Sequence, residues 1–167
     1  MSSNQEITEL KELLNKALQR LYENDMSLIE RRANERAITF RFGVYLEELV
    51  KKSSFKELNV DAEYNRNGTS TKSTDSNPHG TYPDILLHQR ETNDENKLVL
   101  EFKCYWNKEK CGCSDKIKLK EFTSESGEYR YNFTLGAFVN INKENFDVMY
   151  FINGKKEKDL AQKEDIK

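Results

Sequence analysis

The sequence predicts an α/β fold, a mixed central sheet flanked by helices. Three observations carry this. The N-terminal stretch places apolar residues at helical spacing. Three strand-like segments follow in succession, separated by turn-rich stretches. A short helical stretch then precedes two more strand-like segments, as a crossover onto a sheet requires. No internal repeat and no composition break divides the chain, so residues 1–167 read as one domain with its core at about 26–153.

Residues 5–23 set Ile7, Leu10, Leu14, Ala17 and Leu21 on one helical face, and Asn24-Asp25 breaks the pattern. A second, longer helix is expected over 26–52. Its stripe holds Leu28, Arg31, Glu35, Ile38, Phe42, Tyr45 and Leu49. Residues 58–66 alternate Leu58, Val60, Ala62 and Tyr64 against polar neighbours, the pattern of a half-buried strand. The stretch 67–80, rich in Gly, Ser, Thr, Asn and Asp, reads as a mobile loop. A second strand is expected over 81–89, with Pro83 near its start. ETNDEN is a turn and 97–106 a third strand. After a loop at 107–113, residues 114–125 read as a helix capped by Ser114. Two strands, 129–141 and 145–153, close the pattern, and the charged tail from Gly154 is left without an element.

Charged residues at 34% make the chain polar, but Phe, Tyr, Ile, Leu and Val are plentiful enough for a core. A net charge of −2 excludes a strongly basic nucleic-acid binder, so any phosphate contact must come from local patches. The start, MSSNQEITEL, is polar and acidic, unlike a signal peptide. No apolar run approaches the ~18–20 residues of a membrane span, and the expected location is cytoplasmic. Three cysteines, Cys104, Cys111 and Cys113, lack the paired spacing of a zinc site even with His79 and His88, so free thiols are expected.

The third strand raises the functional question. LVLEFKCYW is apolar almost throughout, yet carries Glu101 and Lys103. Strand alternation puts Leu98, Leu100, Phe102 and Cys104 on one face. Glu101 and Lys103 project together from the other, roughly 7 Å apart. Buried charge is expensive unless paired or used. The preceding strand adds Asp84, which a hairpin across ETNDEN would bring beside Glu101. Two carboxylates that close favour a shared cation, and hard oxygen donors suit Mg²⁺ or Mn²⁺. A lysine beside such an ion can orient or deprotonate water, or balance charge on a phosphate. Glu35, on the apolar stripe of its helix, points towards the sheet and could add an outer ligand held through water.

Pro83-Asp84, then Glu101-x-Lys103 on the following strand, with a Glu on the preceding helix, resembles the PD-(D/E)XK nuclease superfamily. ERAITFRFGVYLEELV also resembles the first helix of uncharacterised bacterial members. The tripeptide [DE]xK alone is weak: it also occurs at Glu9–Lys11, Glu95–Lys97 and Asp165–Lys167, but only the 101–103 copy sits inside an apolar strand. The resemblance implies a restriction-endonuclease-like αβββαβ core over 26–141, with an extra N-terminal helix and a C-terminal strand. It implies a metal-dependent nuclease hydrolysing DNA phosphodiesters, with Asp84 and Glu101 as ligands of Mg²⁺ or Mn²⁺, Lys103 as catalytic lysine and Glu35 as the helix acid. Arg66, Lys118 and Lys120 are candidates for nucleic-acid contact, as are Arg36 and Arg41. The chain has no separate DNA-reading domain, so recognition would need a homodimer, a partner subunit or the 67–80 loop. The alternatives are a non-catalytic nucleic-acid-binding or assembly module on the same fold, and a nuclease directed at RNA.

Overall fold

The structure is a computed structural model that describes residues 3–107 and 111–158. Helix α1 spans Ser3–Glu30 and α2 spans Glu35–Val50. Strands β1 (Asn59–Ala62), β2 (Arg66–Asn67), β3 (Ser70–Thr71), β4 (Ile85–His88) and β5 (Leu98–Cys104) follow. Helix α3 (Cys113–Thr123) leads to β6 (Leu135–Ile141), β7 (Phe146–Ile152) and β8 (Lys155–Lys156).

Six strands form one mixed sheet in the order β1-β4-β5-β6-β7-β8. Neighbours are antiparallel except β5 and β6, which run parallel because α3 carries the chain between them. The expected α/β class and mixed sheet are therefore present.

The alternation of β5 divides the core in two. Leu98, Leu100, Phe102 and Cys104 join Leu10, Leu14, Leu18, Ile38, Phe42 and Leu46, so α1 and α2 cover that face. Val99 joins Leu86, Leu119, Phe122, Tyr131, Phe133 and Phe138, so α3 covers the other. Glu101 and Lys103 fall on the α3 face.

Several boundaries differ from the sequence reading. The break at Asp25 is present (φ −125°), but helical structure resumes to Glu30. The expected 26–52 helix is cut at residues 31–34. Arg32 turns to φ 52°, and its N–H and that of Ala33 return to the carbonyls of Ile29 and Leu28. Asn34 then caps α2, its side chain accepting from the Arg36 N–H at 2.9 Å. Glu35 is thus the first residue of α2, not a mid-helix residue.

The first strand stops at Ala62 because Glu63 takes φ 49°, outside the β region. The 67–80 loop contains part of the β2–β3 hairpin and a Thr74–Asn77 bridge, and Lys72, Ser73 and Thr74 are buried. Helix α3 starts one residue early, with Gly112 as N-cap in a left-handed turn (φ 54°), so Ser114 is no cap. Phe138 explains the glycine: an added Cβ would lie 2.2 Å from its ring. The 129–134 segment is irregular, and part of the tail forms β8. Cys111 and Cys113 are joined in a disulfide with Cα atoms 5.3 Å apart, against the expectation of free thiols; Cys104 alone stays free, buried.

Candidate functional site

The site grows out of a mismatch in strand length. Strand β4 pairs with β5 only as far as Ile85 opposite Leu100. Beyond that, the β4-side N–H groups of β5 have no strand to bond. Two carboxylates take them. Asp84 Oδ2 accepts from the Phe102 N–H at 2.7 Å, and Glu35 Oε2 accepts from the Cys104 N–H at 3.1 Å. Glu35 also accepts from the Asn107 amide. Residues read as site acids thus sit together at the frayed end of β5, placed there by unpaired backbone donors.

Glu101 is different. It is 3% exposed and neighboured on β6 by Phe138. Lys118 Nζ lies 2.9 Å from its Oε1. That is an ion-pair distance, but no aligned hydrogen bond reaches this buried oxygen. Lys118 also lies 3.1 Å from Asp115 Oδ1, and Lys103 lies 3.2 Å from Asp115 Oδ2. Glu101 and Lys103 therefore meet opposite charges from α3.

Four carboxylates (Glu35, Asp84, Glu101, Asp115) and two ammoniums (Lys103, Lys118) make up the cluster. If all were ionised, two negative charges would remain. The electrostatics follow. Burial raises the Asp84 carboxyl to about 6, with Glu35 and Asp115 adding to the rise against the Phe102 N–H and Lys118. Burial, then Asp84, pushes Glu101 well above the usual carboxylate range. Burial beside Glu35 pushes the Cys104 thiol to about 12. Lys118 rises above its ordinary value: Glu101 and Asp115 outweigh its burial.

The carboxylate oxygens gathered here are hard donors, the ligand type a divalent cation takes. Magnesium takes hard oxygen ligands and needs only one or two carboxylates from a protein. The orphaned Oε1 of Glu101 is a buried oxygen that the chain itself does not satisfy with a hydrogen bond. Among the described residues no group of three or more His, Cys, Asp or Glu side chains is arranged to hold a metal ion by itself. An open recess of about 290 Å³, lined by Lys103, Cys104, Asn140 and Asn142 among others, adjoins Lys103 at the C-terminal ends of β5 and β6.

The structure brings Asp84, Glu101, Lys103, Glu35 and Lys118 together. It does not bring in the rest. Lys120 is exposed in the last turn of α3, and Arg66 is exposed on the β2–β3 hairpin. Arg36 pairs with Glu63, and Arg41 pairs with Asp25. His79 is exposed, while His88 is buried against Asp61. Asp115 and Asn107 are the residues the sequence reading missed. Asp115 carried a signal: an acid in the first turn of a helix, three residues before Lys118, faces the same way as that lysine.

No protein-family model, curated protein or solved structure matches this chain. No helix among the described residues is long and apolar enough to cross a membrane.

Proposed function

We propose that the protein is a metal-dependent nuclease that hydrolyses DNA phosphodiesters at the β5 cluster. The observation that carries the reading is Glu101: a carboxylate 3% exposed, one oxygen without a hydrogen bond, set among Asp84, Lys103 and Lys118. A structural ion pair has no need of that many acids around it. The element order α2-β1-β4-β5-α3-β6, with β5 and β6 parallel, supports the restriction-endonuclease-like core that the PD-(D/E)XK resemblance implies.

Asp84 and Glu101 would hold Mg²⁺ or Mn²⁺. When bound, the ion supplies charge stabilisation at the phosphate and a more acidic water. The chain's own groups do the rest. Asp84 is fixed by the Phe102 N–H, so its second oxygen can serve the ion. Lys103 holds water or a phosphate oxygen at the recess, kept in place by Asp115. Glu35 orients the Asn107 amide and holds the strand end. Water adds to phosphorus and gives up one proton, one ester P–O bond breaks, and the leaving alkoxide takes up a proton, so that on balance water's proton ends on the leaving oxygen.

The test is cleavage of plasmid, single-stranded DNA and RNA with Mg²⁺ or Mn²⁺, beside Asp84→Ala and Lys103→Ala. Cleavage lost in both variants is expected, at ~10²-fold or more. RNA cleavage alone would move the substrate class. No cleavage of any nucleic acid, with no metal binding by calorimetry, refutes the proposal.

A further inference from the structure

Lys118 stands where a cation is expected. Its ammonium is 2.9 Å from the buried oxygen of Glu101 and 3.1 Å from Asp115. The Glu101 contact lacks hydrogen-bond alignment. Asp115, by contrast, lies one helical turn from Lys118 on the same element, so it stays within reach of the lysine tip when the tip leaves Glu101. A lysine carries a compact charge on a flexible stem and can exchange one carboxylate for another.

We infer that Lys118 is a resident counter-ion of the metal site. Its ammonium occupies Glu101 in the metal-free chain, gives way when a divalent cation binds, and is held beside the site by Asp115, in reach of a substrate phosphate. This rests on the metal-site reading above. It goes beyond it in assigning Lys118 two positions and Asp115 the role of second anchor. Lys118 is then a positioning residue whose departure completes the site. Asp115 keeps the freed ammonium beside the site while leaving it open to solvent, and it holds Lys103 through its other oxygen.

Two measurements on the full chain test this. The first is reductive methylation of lysines with formaldehyde and cyanoborohydride, read by peptide mass spectrometry with and without Mg²⁺. Lys118 is partly buried in its pair with Glu101, so slow labelling without metal and roughly tenfold faster labelling with it are expected. The second is calorimetric titration with Mn²⁺. Lys118→Met should bind about tenfold more tightly than the unaltered chain. Lys118→Gln substitutes if the Met variant does not fold, and the labelling arm needs no variant.

Tighter binding with unchanged Lys118 labelling means that Lys118 acts only through its charge, and overturns the displacement. Equal affinities with unchanged labelling, in a chain that does bind Mn²⁺, overturn the inference and leave the metal site standing. No Mn²⁺ binding by either chain overturns both. Binding seen only in the Lys118 variant supports the inference in its strongest form.

Discussion

Lys72 is the most testable energetic oddity in the fold. It is 1% exposed, on the segment between β3 and Asp84. Its Nζ lies 4.5 Å from the centre of the Tyr131 ring and 5.9 Å from those of Tyr64 and Phe133. Burial lowers its pKa from 10.5 to about 8. At ~1.4 kcal/mol per pH unit, that is roughly 3 kcal/mol against the charged form. Three ring faces work the other way, by about 0.5–2 kcal/mol. The charged lysine should therefore cost the fold about 1–3 kcal/mol at pH 7. The sign is fixed by the proton balance. Below pH 8 both folded and unfolded chains carry the charge, and the folded state bears the full cost. Between about 8 and 10.5 the unfolded chain binds more protons, so stability rises with pH. Above that the cost is gone. Tyr131, whose own pKa is raised by burial, and His88, whose pKa is lowered by burial and by this lysine among others, also face the region. Comparison with Lys72→Met cancels their direct titration. Urea unfolding, followed by the single tryptophan, Trp106, should show Lys72→Met more stable by about 1–3 kcal/mol at pH 7, with the gap closing by pH 10.5. A variant no more stable at pH 7, or a gap that does not change with pH, would refute the reasoning.

Two further outcomes concern the supports of the site. Gly112→Ala should destabilise by about 2–5 kcal/mol in the same unfolding assay, because a left-handed residue and a Cβ 2.2 Å from Phe138 are both unfavourable; a loss under about 1 kcal/mol would mean that Phe138 moves aside. Asn34→Ala removes the cap of α2 and should cost about 1 kcal/mol; no loss would show that Glu35 is held by its β5 contacts alone.

Much of the fold was legible because it rests on local pattern. The alternation of β5 was readable from its sequence, and it set both core faces and the side on which Glu101 and Lys103 emerge. The break at Asp25 was readable too. The second helix break was not, because Arg32 takes a left-handed turn that sequence rules reserve for Gly or Asn. The cap of α3 was misassigned for a tertiary reason. Ser114 is the better local cap, but Phe138 reaches across from β6 and leaves room only for Gly112. The disulfide was missed because cysteine spacing was weighed against compartment, not against the turn at Gly112 that brings the pair together. In the cluster, Asp84, Glu101 and Lys103 were read from strand alternation and the hairpin, and Glu35 from the apolar stripe of its helix. Asp115 was passed over because an acid in a first helical turn already has an ordinary explanation, the helix dipole.

The site residues differ in how much of their presence the fold alone explains. Asp84 and Glu35 have structural work: they satisfy the N–H groups of Phe102 and Cys104 where β4 ends too soon. An asparagine could accept the same bonds without charge. Lys118 and Asp115 satisfy each other across one helical turn. Glu101 has no such account. No backbone donor claims its Oε1, its neighbours Asp84 and Asp115 repel it, and its ion pair with Lys118 is poorly aligned for a hydrogen bond. A neutral side chain of similar volume would lower the electrostatic cost at that position. Each of its partners has a role in folding. Folding gives Glu101 no such reason, so the functional reading stands on Glu101 more than on any other residue of the cluster.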